Sequence, residues 1–237
     1  MRRGRLSRWL TITSLAVLPH QLLAQADPGR VPADESHSAI GAAVASSLRL
    51  LVLEHAGRIV FQERTRRELK GPFFRDYARS LRLPTTWKDG DTWLVNYIGH
   101  PIHGAAAGRT WLEHHPGPDL EIGLSGAYWS SRARAAAWAA LYSVQFEFGP
   151  LSEASIGNIG LRPGRTGWVD HVVTPVGAFG MIVAEDALDR CVVQWVERKV
   201  GNRALRASAR ILLNPSRSLA NIVDGRTPWF RARGPLR

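Results

Sequence analysis

The sequence has a single cysteine and lacks the short motifs of several common enzyme classes. Cys191 stands alone among 237 residues, so the chain forms no internal disulfide and no cysteine-based zinc site. The HExxH zinc motif is absent. Residues 157–160 have neither the spacing nor the lysine of a phosphate-binding loop. Around Ser125 the second glycine comes too soon for a strand–turn–helix nucleophile elbow, and Ser152 and Ser155 have no better claim.

The sequence also lacks internal repeats and any clear alternation of apolar and polar residues, which argues against strands. Apolar residues instead recur at helical spacing in several long stretches. We therefore predict an all-α fold, a helical bundle around a central kinked helix rich in glycine and alanine. The predicted organisation is a flexible segment at 27–37, a helical domain at 38–215 and a basic aromatic tail at 216–237.

Residues 1–26 have the pattern of a secretory signal peptide. Arginines begin it, an apolar run from Leu10 to Leu18 follows, and Ala24-Gln25-Ala26 matches a small-residue cleavage site. The alternative is a retained membrane anchor, but the apolar run is short for a spanning helix and is interrupted by Pro19. We predict cleavage and a periplasmic or envelope-associated protein. No cysteine follows the signal, which argues against a bacterial lipoprotein anchor.

Basic residues outnumber acidic ones, and very few of them are lysine. Removing the four arginines of the leader lowers the formal charge from +11 to +7. Only Lys70, Lys88 and Lys199 are lysines, a bias that a genome rich in G and C would also produce. A basic exported protein favours anionic lipid or an envelope polyanion as partner, and nucleic acid is not expected. The composition indicates neither a cofactor nor an oligomeric state.

The segment 91–115 is the best candidate for a site. Asn96, His100 and His103 interrupt an apolar stretch, and at about 100° per residue they share one helical face. Pro101 has no N–H to donate to Tyr97, so the helix should kink or restart there. Downstream, glycines at 104 and 108 form a small-xxx-small pair that lets another backbone approach closely.

Later helices supply acidic residues and a further histidine that could meet this segment. Histidines with carboxylates can make a metal site or a general acid/base pair, but Pro101 disturbs the spacing that a metal needs, and we assign no metal ligand. A buried polar network that locks helices together is the simpler interpretation. The predicted site residues are Asn96, His100, His103, Glu147, Asp170, His171 and Glu185, with Tyr97 and Arg109 as substrate-binding residues.

Three motifs resemble an uncharacterised family of exported bacterial proteins, known only as a domain of unknown function. They are Asn96-Tyr97-Ile98-Gly99-His100-Pro101-Ile102-His103-Gly104, Phe146-Glu147-Phe148 followed by Ser155-Ile156, and Val173-Thr174-Pro175-Val176-Gly177. The resemblance covers residues 87–185. It implies an envelope location and suggests that these polar positions belong to one site, but it carries no established activity.

The sequence leaves two hypotheses about function. In the first, the chain is a non-catalytic, membrane-associated envelope protein whose buried polar network specifies helix packing. In the second, it is a lipid- or glycolipid-directed hydrolase or transferase, with His100 or His171 as base and Arg109 receiving a phosphate. The two differ in one spatial feature. An enzyme needs its histidines and carboxylates around one open pocket, whereas a packing network is closed to solvent.

Overall fold

The structure is a computed structural model that describes residues 34–115, 122–123 and 125–231. The fold is all-α, as predicted, and an isolated parallel β-bridge joins Thr86 to Gly167. The helices are α1 (Asp34–Phe61), α2 (Glu63–Glu68), α3 (Phe73–Ser80), α4 (His100–His114), α5 (Gly126–Phe148), α6 (Glu153–Ile156), α7 (Trp168–Leu188), α8 (Gln194–Lys199), α9 (Arg203–Leu213) and α10 (Pro215–Val223).

Helix α4 is the centre of the bundle and packs against α1, α5, α7 and α10. A π-helical turn, Val95–Gly99, leads directly into its first residue, and Gly99 keeps helical angles with φ −60° and ψ −56°. Pro101 cannot donate a hydrogen bond to the preceding turn, and the wider π turn accommodates that loss without ending the helix. The predicted irregularity at Pro101 is therefore a π-helical turn and not a break in the helix.

Glycines allow α4 and α7 to approach closely. A Cβ atom at Gly104 would lie 2.6 Å from Thr174 Cγ2 and 2.8 Å from its carbonyl oxygen. At Gly177, on α7, a Cβ atom would lie 2.6 Å from Pro101 Cγ. Such distances are shorter than any non-bonded contact allows, so only glycine fits at this crossing. The close approach brings the first turns of α4 and α7 side by side.

Two apolar clusters hold the bundle together. One joins α1, α4 and α5 through residues such as Leu50, Leu51 and Phe146, and the other joins α4, α5 and α7 around Ile182. Contacts between Glu54 and His103, and between Asp170 and His100, place the end of α1 beside the beginnings of α4 and α7. Polar side chains from several helices therefore meet at one end of the bundle.

Several predicted boundaries differ from the structure. Helix α1 begins at Asp34 and not at Ser38, so part of the segment predicted to be flexible is helical. Asn202, a residue type that favours the N-cap position, caps α9, and its side-chain oxygen accepts hydrogen bonds from two backbone N–H groups. Pro215, predicted to end the helical domain, instead begins α10, where a proline at the first helical position loses no hydrogen bond. The signal peptide at 1–26, residues 27–33 and the end of the tail at 232–237 lie outside the described residues.

Candidate functional site

The candidate site is built where the loop before the π turn meets the beginning of α7. The backbone N–H groups of Trp168 and Val169 donate to the carbonyl oxygens of Thr86 and Trp87, both at 3.0 Å. Gly167 permits this pairing, because a Cβ atom there would lie 2.6 Å from three backbone atoms of residues 87–89. The pairing fixes Asp89 on the loop next to Asp170 in the first turn of α7.

Asp89 is a buried carboxylate that accepts several hydrogen bonds. The backbone N–H of Asp91 donates to Asp89 Oδ1 at 3.0 Å, and Asn96 Nδ2 donates to the same oxygen at 2.8 Å. Burial by itself raises the pKa of Asp89, but the hydrogen bonds from Asp91, Asn96 and Asp170 outweigh burial and lower the pKa below its ordinary value. Asp89 is therefore the ionised member of the pair.

Asp170 is the protonated member. Burial raises the pKa of Asp170 to about 9, and the neighbouring charge of Asp89 and the hydrogen bond to it act in the same direction. Two carboxyl groups in contact cannot both ionise cheaply, so they hold one proton between them near neutral pH. The two titrations belong to the pair as a whole. One carboxyl oxygen of Asp170, Oδ1, is buried and makes no hydrogen bond to any described residue.

His100 lies directly behind Asp170. Its Nε2 atom is 3.3 Å from Asp170 Oδ1, and its Nδ1 atom is 3.3 Å from the hydroxyl of Thr174. Burial lowers the pKa of His100 to about 4, and the nearby His103 contributes in the same direction. The imidazole is therefore neutral at pH 7. It fixes the position of Asp170 and is poorly suited to act as a general base itself.

A cavity of about 320 Å³ connects this carboxyl pair to solvent. Asp89 and Asp170 form part of its wall and are buried, whereas Arg64 and Asp91 line it and are exposed. Arg58 and Arg162 also line the cavity and are held by Glu153 and Glu68. Arg64 makes no ion pair within the described part of the chain. The cavity therefore offers a free guanidinium near its mouth and a proton-sharing pair on its wall.

A second polar group lies deeper, between α1, α4 and α5. Glu54 accepts hydrogen bonds from Tyr142 at 2.7 Å, and His103 Nδ1 lies 3.0 Å from both of its oxygens. The ring of Phe146 packs edge-on against His103 with centroids 4.5 Å apart. None of these side chains lines the cavity. His103 therefore belongs to the packing of the helices, next to the carboxyl pair but not exposed to a substrate.

Glu147 is buried at the end of α5, beside the cavity. Burial raises the pKa of Glu147 well above its ordinary value, and the charges of Glu153 and Asp170 add to the effect. Glu153 itself lines the cavity and pairs with Arg58. Its surroundings therefore favour the neutral form of Glu147, which is not among the residues that line the cavity.

Arg109 and Glu185, both predicted as site residues, belong to a different, closed network in the middle of the bundle. Arg109 Nη2 lies 2.9 Å from Asp186 and 3.3 Å from Glu185, and the Arg109 side chain is 2% exposed. Glu185 also accepts from the backbone N–H and the hydroxyl of Ser216, at 2.8 and 2.5 Å. Arg132 completes the network by pairing with Asp186 at 2.6 Å. The phosphate-binding role assigned to Arg109 has no support from this position, because both carboxylates already occupy its guanidinium.

The other two predicted residues lie outside the cavity. His171 stacks on Phe148 with ring centroids 5.2 Å apart, and burial lowers its pKa. Tyr97 is 39% exposed, and its hydroxyl accepts a hydrogen bond from Trp87 Nε1 at 3.3 Å. Neither side chain faces the carboxyl pair, so we do not place His171 or Tyr97 in the candidate site.

A serine, a histidine and an aspartate also meet near the other end of α4. Ser46 Oγ lies 3.0 Å from His114 Nε2 and donates to Asp224. Asp224 approaches that same nitrogen of His114, at 3.6 Å. In a hydrolytic triad the aspartate instead binds the opposite ring nitrogen, so that the histidine can take the serine proton. The Ser46 cluster therefore has the composition of a triad without its geometry.

The predicted site residues did not include Asp89 or the cavity-lining arginines, and Thr174 was identified only as part of the motif at 173–177. Asp89 lies in the segment Trp87-Lys88-Asp89-Gly90-Asp91, which has the composition of a turn, and nothing local distinguishes a turn aspartate from an active one. Its neighbourhood depends on the backbone pairing with residues 167–169, far along the chain. The available signal was the pair of acidic residues flanking Gly90 immediately before the central segment.

Among the described residues, no group of three or more histidine, cysteine, aspartate or glutamate side chains has the geometry to hold a metal ion. Comparisons with family models, with curated proteins and with solved structures give no match for this chain. What bears on function is therefore the geometry of the site and the motifs of the sequence.

Proposed function

We propose that this protein is a cell-envelope enzyme that uses the Asp89–Asp170 pair for acid–base transfer on the headgroup of a lipid or glycolipid. The observation that carries the proposal is the contact of two buried carboxyls, with pKa values shifted in opposite directions, at the wall of a cavity that reaches solvent. A strongly shifted pKa in a cleft is typical of catalytic groups, whereas packing networks close around their charges.

The pair provides both proton transfers that a hydrolysis needs. Asp89, as the carboxylate, removes a proton from an attacking water, while Asp170 gives its proton to the oxygen of the leaving group. After the bond to the leaving group breaks, Asp89 carries one proton and Asp170 is ionised. Transfer of that proton along their hydrogen bond restores the starting state, so the pair holds one proton before and after each turnover.

Two other residues have defined parts in this scheme. His100 is a positioning residue, because it contacts Asp170 from behind and not through the cavity. Arg64 is the binding residue, since its guanidinium lines the cavity without an ion pair to a described residue. A guanidinium suits phosphate or carboxylate, and the substrate class is therefore a headgroup that carries an anionic group.

The envelope location is supported by the signal-peptide pattern at 1–26, by the positive charge of the remaining chain and by the resemblance of its motifs to a family of exported proteins. Two helical stretches, Ser38–Phe61 and Trp168–Lys199, have the length and composition of membrane-crossing helices, a test that core helices and signal sequences also pass. These observations favour a membrane-associated enzyme over one that acts on soluble substrates.

The alternative is a non-catalytic envelope protein. It is favoured by the closed network around Arg109 and by the ion pairs that already engage Arg58 and Arg162 in the cavity. If it is correct, the buried polar groups serve only to specify how the helices pack.

Turnover by an Asp170→Asn variant tests the proposal. The purified protein is incubated with phosphatidylglycerol, phosphatidic acid and a bacterial glycolipid extract, and products are identified by mass spectrometry. Because asparagine cannot donate the proton, turnover should fall by about 10²-fold or more. Asp76→Asn, at a partly exposed aspartate of α3 that does not line the cavity, is the matched control and should keep full turnover. If Asp170→Asn turns over substrate as fast as the wild-type protein, or if the wild-type protein turns over none of these substrates, the non-catalytic alternative is favoured.

A further inference from the structure

Large apolar side chains are exposed beside the cavity, on the loop, the π turn and the first turns of α7. Trp93 is 66% exposed and Leu94 is 64% exposed. A continuous exposed apolar surface of this kind marks an interaction site more often than chance. We call this surface the aromatic patch; its members are Trp87, Trp93, Leu94, Tyr97, Ile98 and Trp168.

Direct contacts make the patch one surface. Trp93 stacks on Tyr97 with ring centroids 5.9 Å apart, and Trp87 donates its indole N–H to the hydroxyl of Tyr97. The backbone pairing of Trp168 with Thr86 brings the beginning of α7 beside Trp87. Tryptophan and tyrosine are the side chains enriched at membrane–water interfaces, where an apolar ring and a polar edge are both satisfied.

The patch and the cavity share a loop, and exposed positive charge accompanies them. The same loop carries Trp87 on the patch and carries Asp89 and Asp91 on the cavity wall. Exposed cations lie on α2, from which Arg64 reaches the cavity, and on α3 and the segments that connect them to the loop: Arg64, Arg66, Arg67, Lys70, Arg75 and Lys88. An anionic lipid surface attracts such a set of cations through its negative potential. Binding to an uncharged protein partner would not require these exposed cations.

The burial of α7 points the same way. In the apolar window of Trp168–Lys199 only 28% is buried within the protein, although the core helix of a soluble protein is mostly buried. Val172 and Val176 continue the exposed apolar surface along α7 from Trp168. This part of α7 therefore has apolar side chains that nothing in the described chain covers.

We propose that the aromatic patch docks on an anionic lipid bilayer and holds the mouth of the cavity at the level of the headgroups. The docking deepens the proposed function by naming the surface that carries the substrate. Its physical basis, apolar and aromatic burial assisted by positive charge, is separate from the chemistry of Asp89 and Asp170.

Site-specific fluorescence tests the docking directly. Cys191 is the only cysteine, so Cys191→Ser gives a background in which one new cysteine carries an environment-sensitive fluorophore. The label is placed at Leu94→Cys on the patch and, as a matched control, at Leu212→Cys on α9, where the leucine is 76% exposed. Vesicles of phosphatidylcholine and phosphatidylglycerol containing nitroxide-labelled acyl chains should quench the label at 94 severalfold more than at 212. Both proteins are the full chain, so binding through residues 1–26 affects them equally.

Partitioning measures the contribution of one side chain. Trp93→Ser should weaken binding to the anionic vesicles about tenfold, since it removes one large apolar side chain from the bilayer. Trp195→Ser, on α8, is the control, because Trp195 is also exposed, at 53%. Binding to vesicles of phosphatidylcholine alone should be weaker than to anionic vesicles, and added salt should remove the difference.

Three results would overturn the docking: equal quenching at 94 and 212, equal loss of binding in Trp93→Ser and Trp195→Ser, or a concentration-dependent blue shift at 94 without vesicles. The last would assign the patch to a second copy of the chain. Asp170→Asn separates the two proposals, because it should abolish turnover while leaving quenching at 94 unchanged. If the label at 94 is not quenched although the protein keeps wild-type turnover, the docking proposal is rejected and the enzymatic proposal stands.

Discussion

At the scale of single residues, Asp170 and Arg109 are both buried ionisable side chains with opposite surroundings. Arg109 is surrounded by Glu185 and Asp186, and despite burial these two charges raise its pKa above the ordinary value. Asp170 faces another acid, so the same loss of solvent raises its pKa and leaves it protonated. A satisfied charge belongs to packing, whereas a neutral acid on the wall of a cavity remains available for chemistry.

Removing the arginine should therefore cost stability. Arg109→Ala leaves two buried carboxylates without their main partner, and the free energy of unfolding should fall by about 3–5 kcal/mol. Urea unfolding followed by circular dichroism measures the change. Arg134→Ala, an exposed arginine on α5, is the control and should change stability by less than about 0.5 kcal/mol. A loss of similar size in both variants would mean that the network around Arg109 does not stabilise the bundle.

Residue-level predictions from the sequence were partly successful because local pattern reveals polarity but not partners. His100 and Asn96 stood out as polar side chains in an apolar helix, and both contact the carboxyl pair. The partner of Asn96 is Asp89, whose position depends on a backbone pairing to residue 167. Arg109 shares the helix with His100, yet lies two turns further along and meets another set of acids.

At the scale of helices, the crossing of α4 and α7 sets the geometry of the site. Gly104 allows Thr174 to lie against α4, and Thr174 in turn contacts His100. The small-xxx-small pair in the sequence predicted a close approach but did not identify the helix that makes it. The start of α9 was also predictable, since a capping residue such as Asn202 acts locally. Whether Pro215 ends one helix or begins the next was not predictable, because proline does both.

Two glycine substitutions should have opposite effects on stability. Gly104→Ala places a methyl group 2.8 Å from the carbonyl oxygen of Thr174, a backbone atom that cannot move freely, and should lower the free energy of unfolding by about 1–3 kcal/mol. Gly180→Ala, on the open face of α7 with nothing within 4 Å, should raise it by up to about 1 kcal/mol. Thermal unfolding compares the two. Equal effects of either sign would contradict the close crossing of α4 and α7.

At the scale of the whole molecule, the buried acids and histidines make stability depend on pH. The pKa of Asp170 rises from 3.8 to about 9 on folding, so its contribution is complete below pH 4 and is lost as the pH rises toward 9. The pKa of His100 falls from 6.5 to about 4, so His100 destabilises the fold as the pH drops through that range. Below pH 6.5 these two effects on stability oppose each other. Above pH 6.5 His100 no longer contributes, and only the loss of stability from Asp170 remains.

The free energy of unfolding should therefore decrease between pH 6.5 and pH 9, with a slope of up to about 1.4 kcal/mol per pH unit. Asp170→Asn should flatten the slope without removing it, because the raised pKa of Glu147 acts in the same direction. Urea unfolding across this range gives the slope, and Asp76→Asn should retain it. A wild-type stability that rises with pH above 6.5 would contradict the assignment.

The class of the fold followed from the sequence, since helical periodicity and the lack of alternation are both visible in it. The choice between an open site and a closed network did not follow from the sequence, because it depends on which polar groups reach the cavity. The structure contains both arrangements, one around Asp89 and Asp170 and the other around Arg109. The long-range pairing that separates them has no local signature in the sequence.

The protonation of Asp170 is the central claim, and infrared difference spectroscopy of the purified protein tests it most directly. Isotope labelling of aspartate identifies the carboxylic acid band, and comparison of wild type with Asp170→Asn assigns the band to one residue. We expect a protonated aspartate at pH 7 that disappears in Asp170→Asn and titrates near pH 9. A spectrum in which all aspartates are ionised at pH 7 would contradict the shared proton and the proposed function with it.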